Sequence, residues 1–204
     1  VNKTGKRELT LRQTLPYILL FCSLVGLLAA FALTYDKIQV LKDPAYNPNC
    51  NINPILSCGS VMKTEQASLF GVPNTILGLM GFSGLATIAV ALLAGAKFKK
   101  WFWWGIQAGA IGGLVFMLYL FFQGVFRINA ICPWCFATWM VTIPIFWYTT
   151  LYNLREKNIS LPTKYGNYLN NFMQKHHGNI LVVFYLIIFG ILLQHFWYYW
   201  QTLI

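Results

Sequence analysis

Five long stretches of this chain carry no Asp, Glu, Lys or Arg: residues 13–35, 66–96, 101–126, 128–154 and 176–204. Each exceeds the roughly 20 residues that a helix needs to cross the hydrocarbon core of a bilayer. The pattern predicts five transmembrane helices, near 14–35, 72–95, 102–125, 132–152 and 179–200. The first is too long, and too free of small-residue cleavage signals, to be a removed signal peptide. Between the apolar runs lie two longer polar stretches, 36–68 and 155–178. The first holds Pro44, Pro48 and Pro54 among several asparagines. This is turn chemistry, and it predicts an extended loop up to about Pro54. From Ile55 the pattern changes, and Leu56, Val61, Met62, Ala67, Leu69 and Phe70 can form one face of a short helix lying on the membrane. Gly71 and Pro73 then end it.

Inside the apolar runs, Gly78, Gly81 and Gly84, and then Gly105, Gly109 and Gly113, fall at spacings that let helices approach closely. Bundle packing is the expected use of both sets. Trp101, Trp103 and Trp104, and the run Trp197 to Trp200, read as interfacial aromatic belts. Pro144 is expected to kink the fourth helix. His176 and His177 read as solvated loop residues and His195 as structural. No internal repeat or low-complexity tract is present.

Composition sharpens this picture. Of 204 residues, 57% are hydrophobic and 10% charged, where a soluble domain carries about 25% charged residues. The net charge of +10 suggests nucleic acid until its distribution is read. Lys3, Lys6, Arg7, Arg12, Lys97, Lys99, Lys100, Arg155, Lys157, Lys164 and Lys175 fall on one side of the five predicted crossings, and Lys37, Lys42, Lys63 and Arg127 on the other. The positive-inside rule places the N-terminus in the cytoplasm and the C-terminus outside. The charge bias thus reports topology, and no nucleic-acid partner is expected.

The same topology puts Cys50, Cys58, Cys132 and Cys135 on the outer side, where disulfides persist. Cys132-Pro133-Trp134-Cys135 opens the fourth apolar run, with Cys132 as helix cap and proline at the favoured first position. A helix N-terminus stabilises a thiolate, so one of these thiols should ionise easily. Cys132 should be the exposed member, with Cys135 about 4.5 Å deeper along the axis. Cys50 and Cys58 sit in a loop read as mobile, able to close a small disulfide and to swing. Exchange through a mixed disulfide requires Cys58 and Cys132 to meet. Two structural disulfides, or a Cys₄ zinc site with poorly spaced ligands, are the competing readings. Cys22, mid-helix in an apolar run, reads as a small packing residue. Asn74 is costly near lipid unless satisfied, either as a helix cap or by a ligand carbonyl. Thr64 reads as a residue that bonds its local backbone.

Cys50 and Cys58-Gly59-Ser60-Val61, then Leu69 to Asn74, then Cys132-Pro133-Trp134-Cys135, resemble the vitamin K epoxide reductase family, most closely its bacterial members. The resemblance implies an all-α integral membrane protein. A catalytic four-helix transmembrane bundle would span 1–152, with its outer loop at 36–71. A cytoplasmic loop and a fifth transmembrane helix would follow in 153–204. It further implies a thiol:quinone oxidoreductase of the bacterial inner membrane that reoxidises a periplasmic thioredoxin-like (DsbA-like) protein. In that scheme Cys50 receives electrons, Cys58 passes them to Cys132, and Cys135 is the cysteine next to the quinone, ubiquinone or menaquinone. Asn74 would bond a quinone carbonyl, and Thr64 stands where the family often has an assisting serine. Trp139 stands where vertebrate members carry a tyrosine on the other carbonyl. Its indole donates but cannot accept, which ranks quinone epoxide reduction lower. Because the chain stops after helix five, the thioredoxin-like partner is expected to be a separate protein.

Overall fold

A computed structural model of the chain describes residues 3–43, 45–69, 71–159 and 164–201, so that Pro44 and Phe70 lie outside the described residues. The first apolar run forms α1, Lys3–Lys42. It continues well past the predicted end at residue 35, because no glycine or proline interrupts the seven residues from Asp36 to Lys42. It stops just before Pro44, where a proline disfavours helix in the residue preceding it. Asp43 there accepts the Ala45 N–H at 2.9 Å. The loop that follows contains two short helical pieces in place of one: α2, Cys58–Met62, and a 3₁₀ turn, Glu65–Ser68. Ser57 caps α2 by accepting the Ser60 N–H.

The next runs form α3, Asn74–Leu93, α4, Lys100–Phe122, and α5, Pro133–Arg155. Between α4 and α5 a π-helical turn, Gln123–Ile128, ends at Asn129 in the left-handed conformation. The polar stretch after α5, read as loop, holds a further helix, α6, Lys164–Lys175. The last run is broken at Phe196 into α7, His177–His195, and α8, Trp197–Trp200.

Four helices are long and apolar enough to cross a membrane on composition: Leu11–Lys42, Asn74–Leu93, Lys100–Ile128 and His177–His195. α5 is of matching length but is diluted by Thr, Tyr, Trp and Asn. It can carry them because it packs between α1 and α4, with Trp139, Ile143, Trp147, Thr149 and Asn153 all buried. Within it Thr138, Thr142 and Thr150 donate to carbonyls of their own preceding turns. Asn153 donates to Gln107 at 2.9 Å and accepts from Asn158. These are the internal partners a polar group needs when lipid offers none. The chain is an all-α, multi-pass membrane protein built on this bundle.

Two glycine sets behave differently from expectation. Only Gly78 makes a close approach, its position for a Cβ lying 3.2 Å from Ala30 on α1. Gly81, Gly84, Gly105, Gly109 and Gly112 face open space. α3 packs on α1, and α4 packs on α5, but α3 and α4 have little contact with each other. Several of these glycines instead line a cavity that separates the two helices. The close helix crossing that does need a glycine is at Gly26, where a Cβ would meet the Phe82 ring at 2.5 Å.

Smaller expectations divide. Cys22 is buried in the α1–α5 core, as read. Trp101 and Trp104 are exposed like belt residues, but Trp103 is buried and its ring lies 4.3 Å from that of Tyr152. His177 is tied to α5: its carbonyl accepts Trp147 Nε1–H, and its Nδ1 lies 3.3 Å from the Tyr148 hydroxyl. His195 is structural, with Nε2 2.9 Å from Asn129 Oδ1 and its ring against Phe126 and Phe196. Through His177 and Tyr185, whose hydroxyl donates to the Met140 carbonyl at 2.6 Å, α7 is fastened to α5, and through His195 to the turn that precedes it.

Candidate functional site

The four cysteines converge at one end of the bundle because of a two-residue backbone clasp. Leu56 and Ile131 form an isolated parallel bridge, in which Ile131 N–H donates to Ile55 at 2.7 Å and Ser57 N–H donates to Ile131 at 3.1 Å. Cys58 follows Ser57, and Cys132 follows Ile131, so the clasp delivers both sulfurs to the same place. Their Sγ atoms are 3.0 Å apart. Cys58 is joined to Cys50 as a disulfide, while Cys132 and Cys135 are free thiols. The meeting of Cys58 and Cys132 that exchange requires is therefore built into the fold.

The loop around this point is tied by a set of hydrogen bonds. Asn53 Oδ1 accepts from the Ile55 and Leu56 N–H groups at 3.0 and 2.7 Å. Asn51 Oδ1 accepts from the Gly59 N–H at 2.8 Å and from the Ser57 hydroxyl at 3.1 Å. Lys37, on the extension of α1, donates to the Met62 carbonyl at 2.6 Å. Gly59 is required where it stands, since a Cβ would lie 2.9 Å from Asn51 Nδ2. Replacing Asn51 by Ala removes the acceptor for two donors, and about 1–3 kcal/mol of stability should be lost. A lowered thermal midpoint, with faster reduction of the Cys50–Cys58 bond by dithiothreitol, checks this.

Burial reverses one expectation. Cys132 was to be the exposed member of its pair, but the clasped loop covers it and leaves it 1% exposed. Cys135 is the more accessible of the two, and its access is from the other side, through the cavity between α3 and α4. Cys132 caps α5 without entering it, as predicted. Cys50 is also buried, beside the carboxylate of Asp36 at 3.6 Å. Asp36 in turn accepts from the Tyr46 hydroxyl at 3.0 Å. Asp36 escaped the sequence reading because the helix carrying it was expected to have ended.

The cavity between α3 and α4 has a volume of about 370 Å³ and is walled mainly by Leu, Phe, Ala and Gly residues. A smaller one of about 70 Å³ adjoins it under the loop. Asn74, Thr75, Cys135 and Trp139 line both and mark their junction, whereas Cys132 and Thr64 reach only the smaller. Trp139 is buried, edge-on to Phe121. Thr64 donates its hydroxyl to the Val61 carbonyl at 2.8 Å, the local backbone bond expected of it. Asn74 is no helix cap. It is the first residue of α3, and its amide reaches back to the loop, accepting from the Leu69 N–H and donating to the Gln66 carbonyl at 2.7 Å. An amide nitrogen has two hydrogens, so one N–H of Asn74 is left over at the cavity. A thiol and an amide donor on the wall of an apolar cavity together suit an apolar ligand that carries a carbonyl.

The vitamin K epoxide reductase family matches residues 17–150. The matched segment takes in the loop and cysteines and ends before α6. No curated protein matches the chain.

Proposed function

The chain belongs to the vitamin K epoxide reductase family, and from that premise we propose that it is a thiol:quinone oxidoreductase that reoxidises a thioredoxin-like protein of the DsbA type. The observation that carries the reading is the line of sulfurs. Cys58, already bonded to Cys50, lies 3.0 Å from Cys132, and Cys135 continues from there to an apolar cavity.

Each transfer in the relay breaks one S–S bond and forms another. Cys50 is buried in this structure, so the loop must open for a partner thiolate to attack Cys50 Sγ, with Cys58 leaving as thiolate. The partner's second thiol then attacks the mixed disulfide, carrying off the new disulfide and freeing Cys50. Cys58 attacks Cys132 Sγ of an oxidised Cys132–Cys135 pair, and Cys135 leaves. Cys50 attacks Cys58, closing the loop disulfide and leaving Cys132 and Cys135 reduced. A bound quinone supplies the final acceptor for two electrons and two protons. The residues fit such a group: Asn74 would offer its spare N–H to a carbonyl, Trp139 and the glycine-lined walls would hold a ring and its apolar substituent, and Cys135 lines the same cavity. Closing Cys132–Cys135 returns the chain to its starting state.

The basic residues support an N-terminus in the cytoplasm of a bacterial inner membrane, with the cysteines on the periplasmic side. Lys97, Lys99, Lys100, Arg155 and Lys157 all flank the helix ends remote from the cysteines.

The test is quinone absorbance in nanodiscs, with a reduced DsbA-like protein as donor and ubiquinone or menaquinone as acceptor. Turnover with either quinone supports the proposal. No turnover with both, by a folded protein, sinks it.

A further inference from the structure

The step that joins the two cysteine pairs takes place away from solvent, since Cys50, Cys58 and Cys132 are all buried. When Cys50 closes on Cys58 it must give up a proton, because an ordinary thiol is only a few per cent thiolate at neutral pH. The side chain against it is the carboxylate of Asp36, whose Oδ2 lies 3.6 Å from Cys50 Sγ. A disulfide sulfur has no hydrogen to donate, so only a reduced Cys50 can turn this contact into a hydrogen bond. Asp36 lies one turn beyond Leu33, which packs in one cluster with Cys50, Cys58 and Cys132, and so on the same face of α1. Asp43, Glu65 and Glu156 are exposed, whereas Asp36 is buried. Its Oδ1 accepts from the Tyr46 hydroxyl at 3.0 Å, which leaves Oδ2 for the sulfur. The cations of the surrounding elements are engaged or turned outward. Lys37 of α1 donates to the Met62 carbonyl at 2.6 Å, and Lys63 after α2 and Arg127 of the π-helical turn are exposed. The other titratable groups at this end are the thiols of Cys132 and Cys135.

We propose that Asp36 is the catalytic base of the loop pair, its carboxylate taking the proton of Cys50 as Cys50 Sγ bonds to Cys58 and expels Cys132. This inference rests on the relay given above. In the step the Cys58–Cys132 bond breaks and the Cys50–Cys58 bond forms. The electron pair of the broken bond stays on Cys132 as thiolate, and the proton of Cys50 ends on Asp36 Oδ2, so the buried site gains no net charge. That proton is at hand when a partner later expels Cys50 as a thiolate. A carboxylate that stayed charged would oppose a thiolate beside it. Taking the proton during the attack removes that opposition.

The experiment is a single turnover of the full chain in nanodiscs, fully reduced and mixed with excess short-chain ubiquinone or menaquinone. In the relay the first quinol draws on Cys132 and Cys135, and the second requires Cys50 to close on Cys58. Asp36→Asn keeps the shape of the side chain and an acceptor for Tyr46 but removes the base. At neutral pH its second phase should slow about a hundredfold relative to its first. Alkylation and mass spectrometry should then find Cys58 linked to Cys132, with Cys50 alkylated. The deficit against wild type should shrink as the pH rises to about 9, where a thiol ionises unaided. A slowing independent of pH, with no such link, would mark Asp36 as structural and overturn the assignment. So would a second phase in Asp36→Asn as fast as in wild type or faster, because the carboxylate would then only oppose the Cys50 thiolate. The infrared S–H stretch of reduced wild type gives a readout independent of how the variant folds. A band lowered by bonding to carboxylate, and lost in Cys50→Ala, is expected, and its absence would also overturn the assignment. If wild type forms no first quinol, the quinone reading fails. If it forms the first and not the second, the relay fails, and this inference falls with either.

Discussion

Cys135→Ala is expected to abolish quinone reduction, by on the order of 10³-fold or more, as loss of a reacting nucleophile does in other enzymes. Cys135 is the thiol that lines the cavity, and Cys132 reaches only the smaller space beneath the loop. With Cys135 gone, the helix pair can neither close nor deliver electrons across the junction. The fold should survive, because Cys135 is bonded to no other sulfur and the cap of α5 is its neighbour Cys132. The loop disulfide should persist too, since Cys50 and Cys58 are untouched. Quinone absorbance, a thermal midpoint and a thiol count on the same preparation check all three expectations. Retained quinone reduction by Cys135→Ala would remove the cavity-facing thiol from the mechanism.

Cys58→Ala should separate relay from scaffold. In the proposed relay, electrons from a protein partner pass the loop pair, so partner-driven quinone reduction should fall by a similarly large factor. A small reductant such as dithiothreitol can reach the helix pair without the loop, and quinone reduction driven by it should continue. If the loop disulfide were only a staple, both activities would decline together with stability. A disulfide closing so short a loop contributes about 2–3 kcal/mol. Cys50→Ala removes the same staple, so its thermal midpoint gives the structural loss against which the activity of Cys58→Ala is read.

The parts of this molecule that lipid dictates were legible in the sequence. Charge-free runs located the crossing helices, because any charge in the hydrocarbon core is expensive. α5 was found by its charge gap and by Cys132-Pro133 at its head, even though its Thr, Tyr and Asn lower its apolar character. Neighbouring helices screen those groups, and a reading by hydropathy alone would pass over it. Features set by tertiary contact were harder to see. The Leu56–Ile131 bridge joins residues 75 apart in sequence, and nothing local to either residue announces it. The burial of Cys132 follows from that bridge, so the expectation of an exposed Cys132 failed with it. The glycines of α3 and α4 were read as packing surfaces, since small residues at that spacing serve equally to bring helices together or to smooth the wall of a slot. Asn74 had two candidate uses, and its bonds to Gln66 and Leu69 excluded the cap.

The central claim is that both cysteine pairs lie on one electron path to quinone, and a single-turnover stoichiometry tests it most directly. The protein is fully reduced, freed of reductant, and mixed in nanodiscs with excess quinone, and the quinol formed per chain is read by absorbance. Two dithiols hold four electrons, so the account predicts two quinols per chain, with both pairs oxidised at the end. One quinol per chain, with Cys50 and Cys58 still reduced, would contradict it by showing that the loop pair is not connected to the helix pair.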